Sequence, residues 1–474
     1  MDKKKELAKN TVIITVGKIC TQFMSFLLLP LYTSVLTTGE YGTVDLLMTY
    51  QQLIGYIVFF QIEQAIFRFL IEVRGDKKKS AEIVASCSFF AIIQMIVLGI
   101  GLYIISHIFT IKYIWYLFFY IIAAILSGLM LQVARGIGNN MVYTIGSFIS
   151  AIGAILLNIL FLVVLGWGIR GMLLAYIIGN LLGAIYVFII LRVYQLCSIK
   201  QINRRALKKC LDYSIPLVPN ALSWWIMSVS DRTIVSFFLG TASNGLLTVA
   251  NKFPSAYSAF YTVFNLSWTE SASLHLNDED HEEFFSSVIS KVCRLFSALA
   301  IGIIAVMPFI FNIIVNKKFF DSYYQIPIYM LSSLFQVIQG MYSVIYVALK
   351  KTKEIAKTTV VAAIINLTIN IVLIKYIGLY AASLSTLISY AFITVWRYLD
   401  LKKYMNIHFD YKAFISALGV YICISIGYYS MNVKLQLIML VLAIVYSAYS
   451  NRDILLMLLN GPQNIKNILT GKTQ

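Results

Sequence analysis

Ala91-Ile92-Ile93-Gln94-Met95-Ile96-Val97-Leu98-Gly99-Ile100-Gly101-Leu102-Tyr103-Ile104-Ile105 lies inside an apolar run covering residues 81–106, with no charged residue from Ile83 to Ser106. As an α-helix this run is roughly 39 Å long at ~1.5 Å per residue, enough to cross a hydrocarbon core of ~30 Å. Similar runs, separated by short polar breaks, fall at 7–35, 41–66, 114–134, 142–165, 171–193, 213–239, 245–270, 286–314, 323–349, 355–375, 379–399, 412–431 and 434–450. Together they predict about 14 transmembrane helices. The whole-chain composition agrees: 59% of 474 residues are hydrophobic and 12% charged, against roughly 45–50% and about 25% in soluble proteins. A water-soluble enzyme is excluded. The longest internal break, Gln195 to Asp212, is too short to fold into a catalytic domain.

The basic residues orient the chain. With the N-terminus inside, about 26 of the 38 Lys and Arg fall in inside breaks or the tails and about 6 in outside breaks. Both termini are therefore expected in the cytoplasm, in an inner-membrane protein. The same loops account for the net charge of +17 without any nucleic-acid partner. Met1-Asp2-Lys3-Lys4-Lys5-Glu6 is basic, but the apolar stretch behind it continues past Leu31 without a small-residue cleavage site, so it reads as a first span.

Weak internal matches recur at a nearly constant offset. Leu36-Thr37-Thr38-Gly39-Glu40-Tyr41-Gly42 pairs with Leu239-Gly240-Thr241-Ala242-Ser243-Asn244-Gly245, sharing Leu, Thr and Gly. Gly168-Ile169-Arg170-Gly171 pairs with Gly378-Leu379-Tyr380-Ala381, and Val133-Ala134 with Val347-Ala348. Their common order predicts two six-helix bundles in parallel repeat around a central cavity, with two helices added at the C-terminus. The expected divisions are 1–194 for the first half, 195–212 for a basic cytoplasmic linker, 213–404 for the second half, and 405–474 for the last two helices and tail.

Ionisable groups inside spans are costly, and each is a functional candidate. Span 1 carries Lys18 with Gln22 one turn later. Span 2 carries Gln61, Gln64, Arg68 and Glu72 at helical spacing, with Glu63 beside them, and span 7 holds Asp231-Arg232. In span 8, Thr248, Asn251, Ser255, Ser258, Thr262, Asn265 and Thr269 alternate at three and four residues, bracketed by Lys252 and Glu270, with Pro254 expected to bend the helix. If the halves repeat, spans 1 and 2 correspond to spans 7 and 8, and these residues face a common wet cavity. The cations Lys18, Arg68, Arg232 and Lys252 then make it electropositive and able to grip phosphate. Glu63, Asp231 and Glu270 would balance charge or carry a coupling ion. Plainer roles weigh against each residue singly: ion pairing for Asp231-Arg232, snorkelling for Lys18 and Lys252, and helix packing for half the hydroxyls.

Other features carry less. The six cysteines are scattered, without metal-ligand spacing. Gly471-Lys472-Thr473 has Lys466 where a nucleotide-binding loop needs glycine. Asp278-Glu279-Asp280-His281-Glu282-Glu283 reads as a solvated charged loop rather than a metal motif. No cofactor, metal site or enzymatic role is expected.

Lys9-Asn10-Thr11, Phe26-Leu27-Leu28-Leu29-Pro30-Leu31-Tyr32-Thr33, Glu40-Tyr41-Gly42 and Glu63-Gln64-Ala65-Ile66-Phe67-Arg68-Phe69 resemble the N-terminal signature of bacterial polysaccharide (O-antigen or capsule) repeat-unit flippases. Those proteins form the oligosaccharide-lipid branch of the multidrug/oligosaccharidyl-lipid/polysaccharide (MOP) exporter superfamily. Asp231-Arg232, Phe238-Leu239-Gly240 and Asn251-Lys252 resemble its second-half signature, with Asn244-Gly245 where Tyr-Gly is common and only the glycine needed for a turn. The resemblance implies transport of undecaprenyl-diphosphate-linked oligosaccharide between leaflets by alternating access, with membrane lipids and polysaccharide polymerase machinery as partners. A multidrug cation antiporter of the same superfamily would favour an acidic cavity, which the excess of intramembrane Lys and Arg disfavours. A membrane glycan polymerase or ligase would need a large outer loop, which the spacing of the spans leaves no room for.

Overall fold

A computed structural model of the chain describes residues 26–276 and 278–459, with the backbone alone at residues 266, 270, 455 and 457–459. Among the described residues all regular structure is helical. The protein is an all-α membrane protein, and nine of its described helices are long and apolar enough to cross a bilayer, or ten if one bent pair forms a single span. The chain divides into two compact units, residues 1–249 and 250–474.

In the first unit the helices are α1 Leu29–Val35, α2 Thr38–Phe59, α3 Ile62–Glu72, α4 Lys77–Ile108, α5 Ile114–Ile137, α6 Asn140–Ile159, α7 Gly168–Ile190, α8 Arg204–Ser214 and α9 Val218–Leu239. Local sequence explains their ends. Thr37 and Glu40 form a reciprocal capping box at the start of α2, Thr37 Oγ1 accepting from Glu40 N at 3.2 Å and Thr37 N donating to Glu40 Oε2 at 2.9 Å. Asn139 and Asn203 cap α6 and α8 through their side-chain oxygens. Gly138 ends α5 in the left-handed conformation, where Arg74 crosses over to donate to the carbonyls of Gly136 and Arg135 at 2.8 and 3.0 Å. The linker is more ordered than a loop: two 3₁₀ turns lead into α8, whose amphipathic face buries Cys210 and Ser214 against α3 and α4. The buried thiol of Cys87 on α4 meets Cys210 there.

The run expected as one helix over 41–66 is broken. Phe60 and Gln61 both adopt positive φ, 49° and 52°, and α3 leaves α2 at 58°. Two successive non-glycine residues in this region cost about 1–3 kcal/mol each. Tertiary bonding supports the break, since Gln61 Nε2 donates to Leu217 O at 3.1 Å just ahead of α9.

α10 Thr241–Leu274 begins in the first unit and runs on past the division, continuing through Pro254. The second unit adds α11 His281–Ile314, a 3₁₀ segment at Lys317–Gln325, α12 Ile326–Ala348, α13 Thr352–Ile377, α14 Tyr380–Leu401, α15 Tyr411–Tyr429, α16 Val433–Ser450 and α17 Arg452–Leu459. The two added C-terminal helices α15 and α16 pack on α11. Tyr323 and Tyr428 stack there at 4.0 Å between ring centres, Tyr428 OH donating to Tyr323 O at 2.8 Å. Gly168 and Gly378, matched in the sequence at the starts of α7 and α14, share positive φ of 52° and 57°.

Candidate functional site

The strongest concentration of buried charge in the first unit lies where α9 packs along α2. Arg232 on α9 pairs with Asp45 on α2, Nε to Oδ2 at 3.2 Å, with side chains 22% and 12% exposed. Asp231, next to Arg232 in the chain, is buried at 6% exposure. Trp225, two turns earlier on α9, donates its indole N–H to Thr49 O of α2 at 3.1 Å and fixes the register of the two helices. Tyrosines from α1, α2, α5 and α7 close the apolar side. The hydroxyls of Tyr32 and Tyr176 lie 3.3 Å apart, Tyr41 stacks near Tyr32 at 5.8 Å, and Tyr120 near Tyr176 at 6.1 Å. In such surroundings an ion pair is strong electrostatically, and removing one partner leaves a buried charge at a cost of about 3–5 kcal/mol.

The N-termini of α2 and α10 cross beside this pair with hardly any side chain between them. A Cβ added at Gly42 would collide with the carbonyl of Thr241 and come 2.6 Å from the nitrogen of Gly245. Reciprocally, a Cβ at Gly245 would collide with Thr38 O and come 3.2 Å from Gly42 N. Asn244 Nδ2 locks the crossing by donating to Gly42 O at 2.8 Å. The two matched sequence motifs therefore meet each other, each as a small-xxx-small pair, Thr38 with Gly42 and Thr241 with Gly245. Gly245 serves this close approach inside a helix rather than a turn, and Asn244 makes the hydrogen bond.

The other expected site residues separate into two groups. On α3, Arg68 is exposed and bonded to Glu72 at 3.1 Å, which also takes Lys209 Nζ of α8 at 3.2 Å. Glu63 and Gln64 are half-buried in the first turn of α3, and Gln61 holds the break that precedes it. In the second unit, Asn251 and Lys252 are half-buried on α10. Below them Ser255 Oγ donates to Asn251 O at 2.7 Å, Thr262 Oγ1 to Ser258 O at 3.0 Å and Thr269 Oγ1 to Asn265 O at 2.7 Å. Such bonds to the preceding turn satisfy the hydroxyls within their own helix. Ser258 reaches further, donating to Gln336 Oε1 of α12 at 3.1 Å, while Gln336 Nε2 donates to Tyr390 OH of α14 at 3.3 Å. Asn265 Oδ1 accepts from Tyr261 OH at 3.0 Å. Lys18, Gln22 and the side chain of Glu270 lie outside the described residues.

Asp45, Arg397 and Asp400 are charges held in the interior that the sequence reading does not single out. Asp45 stands near the start of a long run, with nothing in local spacing to mark it as the partner of Arg232. Arg397, at the end of the run expected over 379–399 and so among the cations expected on the inside, is a fully buried residue of α14. The acidic run at 278–283 is partly consumed by structure: Glu282 Oε1 accepts from Asn406 N at 2.6 Å.

Residues 7–269, more than half of the chain, match the family model for polysaccharide biosynthesis protein. The chain belongs to that family. No curated protein matches it in sequence. Among solved structures it is similar to the lipid II flippase MurJ in an inward closed conformation, with a TM-score of 0.70 and 16% identity over 94% of this chain and 100% of that one. It is also similar to an inward-facing multidrug resistance MATE family transporter of the MOP superfamily, with a TM-score of 0.67 and 13% identity over 82% of this chain and 98% of that one. A further match is a MOP superfamily transporter from Pyrococcus furiosus, described for the reverse polarity of its binding pocket, with a TM-score of 0.57 and 12% identity over 83% and 96% of the two chains. Family and fold together make this a multi-pass membrane protein of the polysaccharide biosynthesis family, with a fold shared with the MurJ and MATE structures.

Proposed function

We propose that the protein is a flippase for undecaprenyl-diphosphate-linked oligosaccharide repeat units, moving them from the cytoplasmic to the outer leaflet of a bacterial inner membrane by alternating access. The observation that carries this reading is the half-buried Arg232 held by Asp45, an intramembrane cation whose carboxylate partner keeps it oriented yet leaves further guanidinium donors for a phosphate. Lys18, Arg68, Arg232 and Lys252 hold the diphosphate in this scheme. Gln22, Gln61, Gln64, Asn251, Ser255, Ser258, Thr262 and Asn265 line the path of the glycan, and Glu63, Asp231 and Glu270 balance the charge. With both termini cytoplasmic, the Gly42–Gly245 crossing lies at the outer end, where it closes the exit and must part for release. Cation chemistry and family membership support this reading over a cation antiporter.

The test follows the sidedness of polyprenyl-diphosphate oligosaccharide in membranes from cells with the protein, without it, and with variants. Loss of the protein traps the glycan-lipid in the cytoplasmic leaflet. Arg68→Ala and Arg232→Ala lower transport by about tenfold or more, and Arg232→Lys, which keeps the pair with Asp45 but loses the planar fork, stays folded with reduced transport. Full transport by both alanine variants, or unchanged sidedness without the protein, overturns the assignment.

A further inference from the structure

A cavity of about 360 Å³ lies in the first unit, away from the Asp45–Arg232 pair. α4, α5, α7 and the linker wall it, with Met95, Leu129, Ala184, Phe188, Ile199 and Ile202 among the lining residues. Only Ser88, Cys197 and Ser198 interrupt an otherwise apolar surface. Its size is within the usual range for a small-molecule site, roughly 300–1,000 Å³. The lining comes from the early turns of α4 and the late turns of α5 and α7, the end of this unit that bears the basic linker. Phe89, Ile92, Ile185 and above all Ile199, at 83% exposure, carry the apolar lining out onto the lipid-facing surface.

The linker wall is fixed in place. Asn203 N donates to Ser86 Oγ at 2.8 Å, Ser86 Oγ donates to Asn203 O at 3.2 Å, and Asn203 Nδ2 donates to Glu82 Oε2 at 2.8 Å. The last bond ties the Glu82 carboxylate of α4 to the side chain of Asn203. Exposed cations surround the wall: Arg192, Lys200, Arg204 and Arg205, with no carboxylate in the chain from Arg192 to Leu211. An apolar chamber open to lipid beneath four linker cations, with Glu82 the one carboxylate bonded to this wall among the described residues, matches a ligand with an apolar chain and an anionic head. A free anion has no use for the chamber, and an uncharged lipid has none for the cations.

We infer that this cavity holds one acyl chain of an anionic glycerophospholipid from the leaflet the linker faces, with the phosphate on Lys200 and Arg204. These cations are separate from those assigned to the transported diphosphate, so the lipid stays bound as cargo moves. The inference rests on the membrane fold and not on the flippase reading. It is tested on the full-length detergent-solubilised protein by native mass spectrometry after adding phosphatidylglycerol, phosphatidylcholine or a polyprenyl phosphate. Phosphatidylglycerol is expected to remain bound at one per protein in preference to the other two. Each cation contributes about five-fold, so Lys200→Ala combined with Arg204→Ala lowers retention about 25-fold. Met95→Trp, which fills the chamber, abolishes retention; the two exposed linker substitutions keep the test valid if Met95→Trp fails to fold. Equal retention of phosphatidylcholine, preference for polyprenyl phosphate, or undiminished retention by the linker variant overturns the assignment.

Discussion

In the first unit α7 packs against both α5 and α6, and in the second α14 packs in the same way against α12 and α13. Counted from Gly168 and Gly378 and from the starts of α6 and α13, Val187 and Gly146 fall at the positions of Arg397 and Thr358. Where α6 meets α7 the partners are small: Gly183 against Ser150, Gly179 against Ala154, and Val187 against Gly146. A Cβ at Gly183 would collide with Ser150 Oγ and stand 2.6 Å from Gly146 O, and one at Gly179 would stand 2.8 Å from Ser150 O. The corresponding pair in the second unit is Arg397 with Thr358, and nearby Asn366 of α13 donates to Ser385 and Thr386 of α14, both at 3.4 Å. One arrangement of helices is thus held by two chemistries. Close backbone approach gains dispersion contacts and needs no polar group, while larger side chains at the same places need hydrogen bonds to be tolerated in lipid.

Arg397 shows the second chemistry at its limit. It is 0% exposed, and its guanidinium donates to neutral oxygens. Nε donates to Thr358 Oγ1 at 3.0 Å, one terminal nitrogen to Gln339 Oε1 and Ser343 Oγ, both at 2.5 Å, and the other to Ile355 O at 3.2 Å and Thr359 Oγ1 at 3.0 Å. The cation joins α14 to α12 and α13 together, and no single oxygen carries the bond.

The largest effect is expected from breaking the glycine contact. Gly183→Leu forces α6 and α7 apart against backbone that cannot yield, at a cost above about 4 kcal/mol, and the purified variant loses its folded peak on size exclusion. Next is Arg397→Ala, which removes the donor shared by six neutral acceptors on two helices and leaves a void, at a cost of about 2–5 kcal/mol, read as a lowered unfolding temperature in detergent. Arg397→Lys recovers only part of that loss because an ammonium reaches fewer oxygens from one point. If Arg397→Ala unfolds as the wild type does, the hydrogen-bonded unit is held by ordinary packing and the contrast between the two units fails.

These expectations rest on side-chain pairings that sequence alone exposed unevenly. The helices themselves were legible, because runs such as 114–134 and 434–450 are long, apolar and punctuated by polar breaks. The break at Phe60-Gln61 was not, since it has neither glycine nor proline and depends on a bond to Leu217. The matched motifs at Gly42 and Gly245 were visible as a repeat, but that they touch depends on topology. Helical spacing correctly put Arg68 beside Glu72. Arg232 was singled out while its partner Asp45 was not, because a pairing between distant helices leaves no local mark. The α10 hydroxyls were found by their period, yet period cannot distinguish Thr262, bonded to its own helix, from Ser258, which reaches α12.

The smallest effect sharpens the comparison at the ends of the third helices. Lys403 Nζ bonds Asp400 Oδ1 at 2.7 Å, while Tyr346 OH donates to Asp400 Oδ2 at 2.8 Å, so the end of α14 is tied to α12 by a carboxylate. The corresponding first-unit residues are Ile190 and Val193, which carry no charge. The hydrogen bond to Asp400 raises the Lys403 ammonium above its ordinary pKa. A group raised on folding contributes its stability below its unfolded pKa, about 10.4 for lysine, and loses it as pH climbs through the folded value. Lys403 is largely exposed, and solvent screening keeps the contribution small. Lys403→Met should therefore unfold slightly below wild type at about pH 8, with the gap narrowing as the pH climbs past about 10.4. A gap that persists unchanged at the higher pH means that the lysine's aliphatic stem, not its charge, secures the end of α14.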